Sequence, residues 1–174
     1  MQTDNRHPAT RVPGQHNPDD LIELFNGLFL EADNCELVRG GGEPLYQPAR
    51  VPGEHHQLQF AHGFFASALH EIAHWCIAGQ RRRQLVDFGY WYEPSRNQYR
   101  QAEFERLEAM PQGLEWILSD AARFVFHPST DNLDLPENPE PFLQQVTQAR
   151  QRWLETGLPA PAIKFRRALV DFYQ

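Results

Sequence analysis

Two histidines one helical turn apart are the residues of this chain with the clearest capacity for chemistry. The segment His70-Glu71-Ile72-Ala73-His74 has the pattern H-E-x-x-H. On an α-helix, residues four apart are neighbours on one face, so both imidazoles would point the same way. Two neutral imidazole nitrogens on one rigid element form half of a site for a divalent metal ion. The pattern therefore predicts a metal site at His70 and His74.

A carboxylate is the expected third ligand, because two histidines leave a divalent ion short of ligands and of compensating charge. The candidates are Glu103, Glu105 and Glu108, which follow the histidines in the chain and would be brought in by folding. We expect Glu108 first, because it immediately precedes a helix predicted to begin at Pro111, and a packed helix would fix its position. Glu105 is the reserve. A solvated acidic surface is the alternative for all three.

The role of Glu71 depends on the metal. With zinc, Glu71 would be a general base that activates metal-bound water, as in H-E-x-x-H peptidases. With Fe(II), two histidines and one carboxylate would leave open positions for O2 and substrate, and Glu71 would orient a ligand or relay a proton. The residue spacing is the same in both cases and leaves both metals open.

The histidines fall within a predicted amphipathic helix, residues 64–78. Apolar side chains recur there at helical spacing, and Gly79 is placed to end the helix as a left-handed cap. One and two turns upstream on the histidine face, Gly63, Ala66 and Ser67 are small. We expect them to leave room for a substrate beside the imidazoles.

The rest of the chain is predicted to mix helices with short strands. Asn17 and Pro18 form a helix start, and Gly157 is placed to end a later helix. Pro111 is expected to start another helix. The predicted helices cover residues 18–32, 112–124, 139–156 and 162–172, and the predicted strands or extended segments cover residues 36–39, 45–48 and 57–61.

Residues 85–92 (LVDFGYWY) form the most aromatic segment of the chain and are predicted to be a strand. Alternation would put Val86 and Phe88 on the core face, and Asp87 and Trp91 on the opposite face, as a candidate substrate wall. Residues 81–83 (RRR) precede this segment. They could interact with the dipole of the preceding helix or dock an acidic partner, and the sequence does not separate these roles.

Length and composition indicate one globular domain. We expect residues 1–16 to be a disordered lead-in and residues 17–174 to form the domain. The net charge of −7 argues against general nucleic-acid binding. No apolar run is long enough to span a membrane, and no secretory signal is recognisable. Two widely separated cysteines, Cys35 and Cys76, suit a reduced, cytoplasmic protein.

Several segments together resemble the bacterial elongation factor P hydroxylase family. The resemblance covers about residues 19–173 and is more specific than H-E-x-x-H alone. It is carried by residues 43–46 (EPLY), 60–79 (FAHGFFASALHEIAHWCIAG), 85–92 (LVDFGYWY), 111–112 (PQ) with 114–116 (LEW), and 129–133 (STDNL).

The resemblance implies a cytoplasmic, non-haem iron-type monooxygenase that hydroxylates the β-lysylated lysine side chain of elongation factor P, with O2 as co-substrate. It also implies a compact α+β, zincin-like fold, in which a small sheet packs against several helices around a central metal-binding helix. His70, His74 and a downstream glutamate match the two-histidine, one-carboxylate site of the family. The resemblance does not decide between Glu105 and Glu108.

A long cationic side chain as substrate suits a net acidic enzyme. Trp91 and Tyr92 could surround an ammonium group by cation–π contact, and Asp87 could pair with it. The leading hypothesis is therefore a protein-lysine hydroxylase. The alternatives are a zinc-dependent hydrolase, either peptidase or nuclease, that uses Glu71 as base, and a partner-binding module with a structural metal.

Overall fold

In the part of the chain that the structure describes, helices and three short strands make up a mixed α+β structure. The computed structural model describes residues 16–90, 98–129 and 139–174. Within them the helices are α1 (Pro18–Asp33), α2 (Phe65–Ile77), α3 (Gln98–Ala121), α4 (Pro139–Thr156) and α5 (Ala160–Tyr173), and the strands are β1 (Cys35–Arg39), β2 (Leu45–Gln47) and β3 (His56–Phe60). The α+β prediction is confirmed at this level, and the zincin-like classification stays a prediction.

Helix α1 begins and ends at residues suited to those positions. The Asn17 side chain accepts a hydrogen bond from the backbone N–H of Asp19, and Pro18 occupies the first turn, where its missing N–H costs nothing. Asn34 ends the helix in the left-handed region, at φ 52°. The predicted start of this helix is confirmed.

The sheet has the strand order β1–β3–β2, with β1 parallel and β2 antiparallel to β3. Alternate residues point to opposite faces, so Leu37, Tyr46, Leu58 and Phe60 are buried while the glutamines of β3 stay partly exposed. The free edge of β1 is closed by Asn26 of α1. Its amide accepts from the N–H of Leu37 at 2.7 Å and donates to the Leu37 carbonyl at 3.3 Å.

Helix α2 lies in the main core and carries the H-E-x-x-H segment. Leu69, Ile72 and Trp75 are fully buried on its apolar side. The helix ends at Ile77, and Ala78, in extended conformation, is its C-cap. The prediction that Gly79 ends the helix in the left-handed region is therefore wrong, although the predicted helix itself differs from α2 by only one residue at each end.

Helix α3 continues through Pro111, so the prediction that a helix begins there is wrong. Proline offers no N–H to the carbonyl four residues earlier, which costs about 3 kcal/mol inside a helix. The side chains of Leu114 and Leu118, both fully buried, provide packing that offsets this cost. Tertiary packing has overridden the local signal.

Residues 82–89 form two short 3-10 helices, Arg82–Gln84 and Val86–Gly89, where the sequence predicted a strand. Val86 is exposed and Phe88 is buried, so the predicted shared face does not exist. Asp87 and Phe88 have φ values of 46° and 56°, in the left-handed region. The strand prediction for these residues is wrong.

Side-chain contacts to the backbone explain this conformation. Arg82 donates through Nε to the Phe88 carbonyl at 2.9 Å, and Asp87 Oδ1 accepts from the N–H of Tyr46 at 2.8 Å. Arg83 lies 3.6 Å above the Trp75 ring and donates to the Trp75 carbonyl. Two of the three clustered arginines thus attach this segment to the core.

His16 packs against the domain, although the sequence assigned it to the lead-in. Its Nε2 donates to the Ala122 carbonyl at 2.8 Å, and its ring contacts those of Phe65, Phe124 and Tyr173. Among the described helices, none is both long and apolar enough to cross a bilayer.

Candidate metal centre

Helix α2 presents His70 and His74 side by side, as their spacing predicts. The ring centroids are 4.6 Å apart at an interplanar angle of 71°, and the two Nε2 atoms are 3.1 Å apart. Both side chains are partly accessible to solvent, on the side of α2 that faces α3. The rings thus converge through the same nitrogen.

Glu108 of α3 completes a triangle with the two histidines. Its Oε2 lies 3.2 Å from His74 Nε2 and 3.4 Å from His70 Nε2, and its side chain is almost completely buried. Glu105 is half-buried and Glu103 is exposed on the same helix, and neither belongs to this cluster. Among the described residues, His70, His74 and Glu108 are the group of donors that could hold one ion.

The donor spacing fits a divalent transition metal. At bond lengths of about 2.0–2.2 Å, adjacent ligand atoms lie about 3.0 Å apart at an octahedral centre and about 3.4 Å apart at a tetrahedral one. The three edges measured here, 3.1, 3.2 and 3.4 Å, fall within that interval. Two imidazole nitrogens and one carboxylate oxygen suit iron or zinc better than magnesium or calcium.

Glu115 is a contact of the site that the sequence argument missed. Its Oε2 lies 2.9 Å from Nδ1 of His70, the ring nitrogen that faces away from Glu108 and His74. Glu115 follows Glu108 by seven residues, or two helical turns, so both project from one face of α3. That spacing was the available signal, and the prediction of a new helix at Pro111 concealed it.

Buried charges shift the pKa values of His70 and Glu108. Burial opposes protonation of His70, but hydrogen bonds to Glu108 and Glu115 outweigh it and raise the His70 pKa well above its usual value. Burial of Glu108 acts against its ionised form, but the charge of His74 and hydrogen bonds from both histidines lower the Glu108 pKa well below its usual range. Glu108 is therefore ionised, as a metal-binding carboxylate must be.

Glu71 is a buried acid beside this cluster. Burial raises its pKa above the ordinary value, and the positive charges of His70 and His74 only partly offset that effect. The charge of nearby Asp87 raises the Glu71 pKa further. The arrangement therefore favours the protonated carboxyl group more than water does.

Of the predicted substrate-binding residues Asp87, Trp91 and Tyr92, the structure describes Asp87 alone. Asp87 is partly buried, and its carboxylate is fixed by the Tyr46 N–H. Trp91 and Tyr92 lie outside the described residues.

A cleft of about 290 Å³ opens beside His74. Much of its wall is apolar, and the lining residues include Arg82, Arg106, Leu107, Met110 and Trp153. One ligand candidate of the triangle is thus accessible from a space large enough for a side chain.

Comparison with known proteins gives two concordant matches. The sequence model of the elongation factor P hydroxylase family matches residues 24–174. The elongation factor P lysine hydroxylase of Haemophilus influenzae is 49% identical over 161 residues, which cover 91% of this chain and 90% of that protein. The family match spans the positions of His70, His74, Glu108 and Glu115.

Proposed function

Because the chain belongs to the elongation factor P hydroxylase family, we propose that it hydroxylates translation elongation factor P on a lysine side chain that already carries a β-lysyl group. The observation that carries this proposal is the convergence of His70, His74 and Glu108 within bonding range of one ion. Two buried free cysteines suit a reducing compartment, and we infer that the reaction takes place in the cytoplasm.

We infer that the metal is Fe(II), held by His70, His74 and Glu108. Two histidines and one carboxylate would leave coordination positions of such an ion open to O2 and substrate. Bound iron supplies the activation of O2 that hydroxylation of an unactivated carbon requires. The protein contributes the ligand triangle, the cleft beside His74 and the acid Glu71.

Glu71 is proposed to handle a proton during the reaction. Its carboxyl group is buried next to the ligands, and its raised pKa favours a protonated form that can donate. Asp87 is proposed to attract the substrate ammonium groups, because its carboxylate is already held in place by Tyr46. Trp91 and Tyr92 remain proposed cation–π partners.

One observation favours a zinc-dependent hydrolase as the second candidate. Glu71 sits within H-E-x-x-H as a buried acid beside the ligands, which is the position of the general base in metallopeptidases. The family match favours hydroxylation over this reading, since hydrolysis would need zinc-bound water and not O2.

The deciding experiment compares two metals on one substrate. Protein loaded anaerobically with Fe(II) or with Zn(II) is mixed with β-lysylated elongation factor P, a reductant and isotopically labelled O2. With Fe(II), mass spectrometry of the lysine peptide is expected to show one labelled oxygen atom. Unmodified elongation factor P is the matched control substrate. Peptide cleavage by the zinc form would support the hydrolase, and an unchanged peptide with Fe(II) would contradict the proposal.

A further inference from the structure

We propose that Glu115 is a positioning residue that fixes the imidazole of His70 so that its Nε2 faces the other two ligands. This inference rests on the proposed metal centre. It assigns Glu115 no contact with the ion, because its carboxylate meets the opposite side of the His70 ring.

The tautomer of a neutral histidine depends on the partner of each ring nitrogen. A ring that binds a metal through Nε2 must carry its hydrogen on Nδ1, and an acceptor at Nδ1 both selects this form and stops ring rotation. Glu115 Oε2 lies 2.9 Å from Nδ1, within ordinary hydrogen-bond distance. Its side chain is only 8% exposed, so water competes weakly for this contact.

The placement of Glu115 is rigid because α3 is anchored on both sides. Gly113 approaches α4 so closely that an added Cβ would lie 2.7 Å from the backbone nitrogen of Arg150. At the preceding residue, the buried Gln112 amide accepts from the N–H of Ser129 and donates to its carbonyl. Because the helix already fixes Glu115, its carboxylate can hold the His70 ring without losing further conformational freedom when a metal binds.

The two histidines differ in this respect. Within the part of the chain that the structure describes, the hydrogen bonds include an acceptor for Nδ1 of His70 and none for Nδ1 of His74. His74 is less exposed than His70, with 12% of its side chain accessible against 26%. The more exposed His70 ring is therefore held by a hydrogen bond to Glu115, whereas His74 is restrained by its lower exposure.

The first test measures Zn(II) affinity by competition with a chromophoric chelator. Glu115→Gln and Glu115→Ala are expected to weaken binding by about 10–100-fold, as loss of such supporting carboxylates does elsewhere. The loss should be larger for Ala, since the Gln oxygen can still accept from Nδ1–H. Asp120→Asn is the matched control, because it removes an α3 carboxylate that pairs with Arg150 away from the site, and it should bind as the parent does. Circular dichroism establishes that each variant is folded.

The second test observes the His70 ring directly by nuclear magnetic resonance of the Zn(II)-loaded protein. The Nδ1–H of His70 should give a downfield signal protected from solvent exchange, and this signal should vanish in Glu115→Ala. Parent-like zinc affinity in both folded variants, or a persistent Nδ1–H signal, would overturn the inference and leave the metal centre standing. Failure of the parent protein to bind metal would overturn both the role of Glu115 and the proposed metal centre.

Discussion

Four ionisable side chains meet at the candidate centre, and removing them from water carries a large desolvation cost. His70, His74, Glu108 and Glu115 occupy a position between two helices that apolar residues could fill at lower cost. Replacing a buried polar cluster by apolar residues is often neutral or stabilising. The presence of the cluster is therefore better explained by what it binds than by stability.

Substituting Glu108 and Glu105 in turn should show which of the two carboxylates binds the metal, a choice that the family resemblance did not decide. Glu108→Gln is expected to reduce metal affinity by about 100-fold or more, since even residues behind a ligand contribute 10–100-fold. Glu105→Gln is the control on the same helix, outside the triangle, and should retain parent affinity. Chelator competition with Zn(II) measures both variants. Equal losses in the two variants would contradict this assignment.

The two cysteines should be chemically inert in the folded protein. Both are buried, and burial raises the pKa of Cys35 to about 12 and also raises that of Cys76. At pH 8 about one Cys35 thiol in ten thousand is then ionised, and the thiolate is the reactive form. Iodoacetamide should leave the native protein unmodified and alkylate both cysteines in urea. Rapid alkylation of either one without denaturant would refute this expectation.

These thiols also give stability a defined dependence on pH. A raised pKa in the folded state means that the unfolded chain releases its thiol protons first as the pH rises. The contribution is fully present below the ordinary thiol pKa of 9.0 and is lost between that value and about 12 for Cys35. The free energy of unfolding should therefore decrease over this alkaline range.

The sequence predicted the candidate ligands better than the residues that support them. Spacing alone placed His70 and His74 on one helix face, whereas Glu108 was singled out by the expectation that a helix begins at Pro111, although α3 continues through that residue. Glu115 escaped because its role depends on which way the His70 ring turns, and that is decided by packing between α2 and α3. A hydrogen bond between residues 45 positions apart leaves no local pattern.

Close packing between α3 and α4 depends on an absent side chain at Gly113. An added Cβ there would lie 2.7 Å from the backbone nitrogen of Arg150 and 3.0 Å from Ala149, so the helices would have to separate. The second, smaller core cluster lies along the same pair of helices, at Ala109, Phe142, Val146 and Ala149. The interface cannot relax without disturbing this cluster.

Gly113→Ala should therefore lower the free energy of unfolding by about 1–3 kcal/mol through overpacking. Gly27 of α1 is the matched control, since nothing lies within 4 Å of its added Cβ. Gly27→Ala should raise stability by about 0.5–1 kcal/mol, because alanine favours the helix. Urea unfolding followed by circular dichroism compares them. A Gly113→Ala variant as stable as Gly27→Ala would exclude close packing as the reason for this glycine.

Element prediction succeeded where local and tertiary forces agree. Asn17 and Pro18 start α1 as expected, because capping is a local interaction. Prediction failed at Pro111 and over residues 85–90, where distant partners decide. The left-handed conformation of Asp87 is held by Tyr46, which is 41 residues away and cannot be inferred from alternation.

On the scale of the whole molecule, α3 joins two cores. Its later turns contribute Leu114 and Leu118 to the main cluster, while Ala109 belongs to the smaller one with α4. Glu108 and Glu115 lie along the same span. The candidate centre thus lies where the two cores meet.

His16 connects three parts of the fold and should contribute to global stability. It donates to Ala122 after α3, and its ring packs on Phe65 of α2 and Tyr173 of α5. His16→Ala should lower the free energy of unfolding by about 1–3 kcal/mol, through the lost hydrogen bond and ring contacts. His127→Ala, at an exposed position, is the control and should change little. Thermal unfolding measures both variants. Equal melting temperatures for His16→Ala and His127→Ala would contradict a stabilising role for His16.

Pro111 lies between the turns that carry Glu108 and Glu115. Because proline has no N–H, the Leu107 carbonyl lacks its helical hydrogen-bond donor. The backbone of α3 is therefore locally destabilised at that point. We therefore expect local opening to cost less free energy in the turns before Pro111 than in the turns after it. An ion bound by Glu108, His70 and His74 would link the turns of α3 before Pro111 to α2. Metal binding should therefore increase the order of these turns, and conditions that disorder them should weaken metal binding.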